Sequence, residues 1–367
     1  MKKALVLSGG GARGAYHVGV IAALVELGWM EDGRGPDILA GTSIGAINAA
    51  ALASGLTVSQ LRSAWMHMHT EDVHRLSDDL PPVVRPLMRF LLRGVLTSAA
   101  HGGVSDELPP AEREQSAQSL LGRLGELFRA RPFRSLLDTT PWRRTLAGWM
   151  KFDRVNSPDA PALLIAATEL QSGALQIFCN RPFHGRPADQ IGMDHLMASS
   201  SIPVVYPWTS LGEGKYWDGA VLANTPLDPV IDLAGDEEVE IIVVMMTPWS
   251  ATADTAGIAE LPQDLPQALT LTLDWALLAS YRVAFELLEQ RNRLAEAVAR
   301  LREAGIEPPG PAPRPIAMPI VIAPERPMPL DWIVDYEEAN HERLFAQGRA
   351  DALRALQGRL APAVVGG

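Results

Sequence analysis

Residues 37–48, which read Asp-Ile-Leu-Ala-Gly-Thr-Ser-Ile-Gly-Ala-Ile-Asn, limit what this chain can fold into more than any other stretch. The apolar run Ile38–Ala40 predicts a buried strand ending at Gly41, and the residues from Ala46 to Leu52 predict a helix. Between them lies Gly41-Thr42-Ser43-Ile44-Gly45, the Gly-x-Ser-x-Gly pattern of a nucleophile elbow. A strand-to-helix turn tight enough to thrust a serine into the open needs small residues two positions to either side. There the neighbouring backbone passes without meeting a Cβ. Ser43 is therefore the candidate nucleophile. Glycine and serine also fill ordinary turns, so the pattern needs support from elsewhere in the chain.

The support lies upstream. Ala4–Leu7 predicts a short strand, apolar throughout as in a parallel sheet covered on both faces. It runs into Ser8-Gly9-Gly10-Gly11-Ala12-Arg13-Gly14 and then a helical pattern over Ala15–Leu27. Strand, glycine loop, helix, strand, elbow and helix within 56 residues predict an α/β fold. The loop admits two readings. Gly9-x-Gly11-x-x-Gly14 fits a dinucleotide fingerprint, with Glu31 and Asp32 near the spacing of a ribose-binding acid. That reading makes the chain a nucleotide-binding oxidoreductase. However, Glu31 and Asp32 precede the second strand where such an acid should end it, and the elbow stays unexplained. The other reading sets the backbone N–H groups of Gly9, Gly10 and Gly11 beside Ser43 as an oxyanion hole.

A formal charge of −11 argues against nucleic acid as a partner, because phosphate binding wants a basic face. The 47% apolar content is ample for a packed core over 367 residues. The lone Cys179 excludes an internal disulfide framework and reads as a small core residue. After Met1-Lys2-Lys3 only Ala4–Leu7 are apolar, too few for a signal peptide. Ile38–Leu56 is charge-free but rich in Ala, Gly, Ser and Thr, which reads as core and not as a transmembrane segment. The expected setting is cytoplasmic, peripheral to membranes. The histidines carry no metal spacing. His67, His69 and His74 read as surface or partly buried residues, and only His195 stays open as a site neighbour.

Taken together, the glycine loop and Gly41-Thr42-Ser43-Ile44-Gly45 resemble the patatin-like phospholipases, which use a Ser-Asp dyad and no histidine. The resemblance implies a third block far downstream, and Tyr216-Trp217-Asp218-Gly219-Ala220 followed by Asn224-Thr225-Pro226 supplies it. The stretch Ala198-Ser199-Ser200-Ser201-Ile202-Pro203 before it is also similar. By this resemblance Ser43 and Asp218 are the catalytic pair, and Arg13 either holds the glycine loop or binds an anionic lipid head. It implies a lipid acyl hydrolase of phospholipase A or lysophospholipase type, with no cofactor or metal and a lipid substrate. A catalytically silent lipid-binding protein of the same fold remains the alternative. An unperturbed aspartate is a weak base, so Asp218 needs burial to raise its pKa.

The expected architecture is a single domain over residues 1–367: three layers, with a mainly parallel central sheet flanked by helices. A helical insertion or lid is expected within 58–151, and C-terminal helices with a last strand over 265–367. Within the insertion Arg85, Arg89 and Arg93 recur among large apolar residues, a pattern that suits contact with an anionic lipid surface or a plain helical cap. Further strands are expected at Ala162–Thr168, Gln176–Cys179, Glu240–Met246 and Ile320–Ile322. Leu265–Ala304 predicts one or two helices with Leu269, Leu273, Leu277, Leu287, Leu294, Val298 and Leu301 along one face, and Tyr336–Leu360 a closing helix.

Overall fold

The computed structural model describes residues 1–80, 134–249, 261–307, 313–329 and 331–357. Its centre is a sheet of eight strands. These are β1 (Lys2–Leu7), β2 (Ile38–Thr42), β5 (Ala162–Glu169), β6 (Leu175–Cys179), β7 (Thr209–Leu211), β8 (Gly214–Asp218), β9 (Val239–Val244) and β10 (Ile320–Ile322). A separate antiparallel ribbon pairs β3 (Arg75–Leu76) with β4 (Leu137–Asp138). The hydrogen-bonded order is β10-β9-β1-β2-β5-β8-β7, with β6 also on β5. From β10 to β5 every pairing is parallel, whereas β6, β8 and β7 join antiparallel.

Alternation along the strands sorts side chains into two cores, as a period of two requires. Leu5, Leu7, Leu39, Leu163, Ile165, Ile242 and Val244 face one layer. That layer holds α1 (Ala15–Glu26), α2 (Ile44–Ala53), α3 (Val58–Met66), α4 (Thr140–Trp149), α5 (Met193–Ser199) and, closing it, α8 (Glu338–Leu356). Ala4, Val6, Ile38, Ala40, Leu164, Ile241 and Val243 face the other, made by α6 (Asp228–Ala234) and α7 (Leu265–Glu303). This is the three-layer α/β arrangement the sequence implies, and burial of both faces explains why β1, β2 and β9 are apolar runs. The antiparallel corner is the part the sequence did not announce.

The long C-terminal helix is a single element of 39 residues. Leu278, Tyr281, Phe285 and Leu288 point into the core, while Leu269, Leu287, Leu294 and Leu301 stand on the exposed side. Of the row that marks the helix in the sequence, these four leucines thus lie outward while Val298 is buried, and aromatic side chains share the packing face. Of the expected insertion, the ribbon β3–β4 closes the neck. Arg75 pairs with Asp138 at 2.8 Å, so the chain leaves and returns at one place. Arg85, Arg89 and Arg93 lie outside the described residues.

The elbow's glycines are fixed by backbone contacts. A methyl group on Gly41 would collide with the Gly45 backbone, and one on Gly45 would collide with the carbonyls of Leu7 and Ser8. Neither neighbour is a side chain that can turn away, so α2 sits directly on the end of β1. Substituting Gly45→Ala should therefore destabilise the protein by about 3 kcal/mol or more, read as a lowered denaturant midpoint at unchanged slope.

Candidate active site

The elbow places Ser43 at φ +57°, a left-handed conformation that a non-glycine residue holds only when its surroundings force it. Four hydrogen bonds hold it there. The Ser43 N–H donates to Ser199 Oγ at 2.9 Å, and that hydroxyl donates in turn to the Ala166 carbonyl at 2.6 Å. The Ser43 carbonyl accepts the N–H of Ile47 at 3.2 Å and starts α2. Thr42 Oγ1 donates to the Ala223 carbonyl at 2.7 Å, which draws in the segment that follows Asp218.

Asp218 reaches Ser43 through an unusual use of one strand edge. β2 pairs with β5 as far as Thr42 opposite Ala166. β8 pairs with β5 from Ala167, which lies opposite Asp218, up to Glu169 opposite Tyr216. Because β6 overlaps both partners along β5, it must occupy the other edge. So β2 and β8 share a single edge of β5 end to end. Where β2 turns away at Ser43, β8 arrives at Asp218, and the two side chains meet at the joint.

There the Ser43 hydroxyl faces the Asp218 carboxylate closely enough to favour its charged form. The Ala220 N–H donates to Asp218 Oδ1 at 2.8 Å, the Asp218 N–H donates to Ser201, and Thr168 Oγ1 donates to the Asp218 carbonyl. Asp218 is 2% exposed and Ser43 4%. Burial is the dominant influence on the acid and pushes its pKa up to about 7, against the opposing pull of the Ser43 hydroxyl and the Ala220 N–H. A carboxylate poised near neutrality can take a proton as an ordinary aspartate cannot. Gly219 must lack a side chain, since a methyl group there would press on the Ala166 carbonyl at 2.5 Å.

The glycine loop follows β1 at the same end of the sheet. Gly9 spends its N–H on the carbonyl of Asn224 at 3.1 Å, which removes it from the three expected oxyanion donors. Among the described residues the N–H groups of Gly10 and Gly11 donate to no backbone carbonyl or side chain, and Gly10 caps and Gly11 opens the 3-10 turn Gly11–Gly14, where an anion site would lie.

Arg13 lies in the core and not on a lipid-facing surface. Its guanidinium pairs with Asp274 at 3.4 Å and donates to the carbonyls of Met328 and Pro329, each at 3.2 Å. Of the two roles open to it in the sequence, these contacts match holding the loop. Its burial leaves no face for a lipid head, which corrects the substrate-binding expectation.

The nucleotide reading loses its acid. Glu31 pairs with Arg34, and Asp32 accepts the Val58 N–H at 2.7 Å, both in the loop before β2 and so at the opposite end of the sheet. His195 caps its own helix by accepting the Gly192 N–H at 3.0 Å. His74 is buried, held neutral by that burial with its pKa lowered to about 4, and its Nδ1 lies 2.9 Å from the Tyr206 hydroxyl. Among the described residues no cluster of three or more His, Cys, Asp or Glu could hold a metal ion. Ser199, quoted in the sequence only as part of a small-residue stretch, proves to be what pins the elbow. Its signal was present, a serine just before the aspartate block, but nothing local tells a bridging serine from a packing one.

Comparison with known proteins agrees with the motifs. Patatin-like phospholipase domain-containing protein 7 of Rattus norvegicus is 41% identical over 83 residues, 22% of this chain and 6% of that protein. VipD from Legionella pneumophila aligns with 97% of this chain and 66% of its own, at 17% identity and a TM-score of 0.42. ExoU in its heterodimeric complex with SpcU, from the type III secretion system of Pseudomonas aeruginosa, aligns with 98% of this chain and 52% of its own, at 17% identity and a TM-score of 0.36. The chain thus spans less than two thirds of each of these proteins. The profile of the family described as patatin-like phospholipase matches residues 5–231, which takes in the glycine loop, the elbow and the Asp218 block, and the chain belongs to that family.

Proposed function

We propose that this chain is a lipid acyl hydrolase, of phospholipase A or lysophospholipase type, that cleaves carboxylic esters through Ser43 and Asp218. The observation carrying this reading is the meeting, at the joint of β2 and β8, of a conformationally strained serine with a buried carboxylate whose pKa is pushed up to about 7. Asp218 takes the hydroxyl proton as Ser43 Oγ attacks the ester carbonyl carbon. The carbonyl π electrons move to oxygen, and the N–H groups of Gly10 and Gly11 receive that charge. Collapse of the adduct breaks the ester C–O bond, the proton on Asp218 passes to the departing alkoxide, and an acyl-Ser43 ester remains. Water then attacks that ester with Asp218 again as base, which releases a fatty acid and restores the serine.

Arg13 serves this chemistry from behind, by anchoring the loop to Asp274 and the 328–329 carbonyls. The lipid substrate fits the apolar side chains around the acid. Val221 and Leu222 follow Asp218 in the chain and are exposed, as is Val204. Val204 is held at φ +70°, with its carbonyl bonded to the Leu136 N–H at the neck of the insertion. Among the described residues no helix is long and apolar enough to cross a membrane.

Both Ser43→Ala and Asp218→Asn should lower turnover of short-chain p-nitrophenyl esters to background in folded protein, and Ser43→Ala should lose fluorophosphonate labelling. Normal turnover by either variant would sink the dyad. Wild-type kcat/KM should climb with pH through a limb near 7, since Asp218 must be charged to act. A flat profile between pH 5 and 8 would remove it as the base. Stability should run the other way. The raised pKa means the folded state holds this proton over a window where the unfolded state has lost it, so wild-type stability falls as pH rises from about 4 to 7. Asp218→Asn lacks that slope, and its melting temperature relative to wild type should therefore rise between pH 5 and pH 8.

A further inference from the structure

The segment after Asp218 carries a polar group that the dyad chemistry leaves unused. Asn224 is 1% exposed, and its side-chain Oδ1 has no hydrogen-bond partner among the described residues. A buried amide left unpaired costs about 1–3 kcal/mol, so such a group needs a reason to be there. Its position supplies one. A methyl group on Gly9 would lie 2.5 Å from Asn224 Oδ1 and 3.2 Å from Ser43 Cβ. The amide and the serine therefore face each other across the space that glycine leaves empty. The backbone of Asn224 is already committed, its carbonyl holding the Gly9 N–H at 3.1 Å. With no partner among the described residues fixing the amide's orientation, its NH2 end can take the inner position. The neighbouring Thr225 hydroxyl is also buried without a partner among the described residues.

We propose that the Asn224 side-chain amide touches the substrate, donating a hydrogen bond to the ester carbonyl oxygen as it becomes negative beside the Gly10 and Gly11 N–H groups. This rests on Ser43 being the nucleophile. It gives Gly9 a specific function: its missing side chain is the gap through which the amide reaches the reacting centre, while its own N–H fixes the loop. It also gives the Asn-Thr-Pro block, so close in sequence to the catalytic acid, a share in the chemistry.

The test compares Asn224→Leu, which keeps the volume and removes the donor, with wild type and Ser43→Ala on p-nitrophenyl butyrate and its thionoester. Removing an unpaired buried amide should leave thermal stability unchanged or raised. Turnover of the oxygen ester should fall about a hundredfold or more with little change in KM, the size of effect seen when one oxyanion donor is lost. On the thionoester, whose sulfur accepts hydrogen bonds poorly, wild type is itself handicapped, and the gap between the two proteins should largely close. Unchanged turnover by Asn224→Leu overturns the proposal, and so does an equal loss on both substrates, which is the mark of a purely structural residue. If the leucine does not fold, Asn224→Ala carries the same two-substrate comparison. Hydrolysis surviving in Ser43→Ala would instead defeat the nucleophile assignment, a result separable from anything the Asn224 variants do.

Discussion

A buried carboxylate set against a serine hydroxyl, with the Ala220 N–H donating to it, is the interaction on which this structure turns. In water an aspartate is too weak a base to activate an alcohol, and an imidazole ordinarily does that work. Here the fold makes the aspartate stronger by withholding solvent. The cost is a charged form that the folded state tolerates poorly, and it is borne by the sheet around it. Ser199 and Ser201 tie the helix α5 and its following loop to both members of the pair, and Thr42 and Thr168 tie down the strands that present them. Ser199, Thr42 and Thr168 do so with short hydroxyl side chains that bridge to backbone, and Ser201 with its carbonyl. Such links add little bulk, which suits a site where β2 and β8 must abut along one edge.

A second constraint acts on the glycine loop. It is gripped from one side by Asn224 and from the other by segments far along the chain. Arg13 reaches Asp274 on α7 and the carbonyls before the 3-10 turn at 331–333, and the backbone of Ile333 packs directly on Gly11. Burial raises the pKa of Asp274 while the Arg13 charge pulls against it, so the pair is a buried ion pair of the kind that specifies geometry more than it stabilises. Its effect is to make the position of backbone N–H groups near Ser43 depend on a helix of the opposite layer.

Much of this was legible in the sequence. The elbow and the glycine loop announced themselves because tight backbone contact demands glycine, and that demand is written at fixed spacing. The strands β1, β2 and β9 were legible because burial on both faces makes them apolar throughout. The antiparallel strand β8 was not, because Lys215, Tyr216 and Trp217 are half in solvent and carry no clean alternation. Nor could residue type alone say which side of α7 packs. Leucines at regular intervals mark a face, but Tyr281 and Phe285 fill the core better and leave those leucines outside. For Arg13 the sequence offered two equal roles, and only the distant Asp274, 261 positions away, separates them.

Strand order also bears on where this protein can be cut. The family's recognisable sequence ends at residue 231, yet β9, which follows it, is the parallel neighbour of β1 over Lys2–Leu7. A fragment stopped at that boundary would hold the nucleophile, the acid and both glycine motifs. It would also turn β1, an interior strand of the sheet, into a bare edge, with a row of unpaired amides open to other chains. The region that relatives share and the region that must fold together are therefore different lengths of this polypeptide. The first carries the proposed site, and the second completes the sheet that holds it.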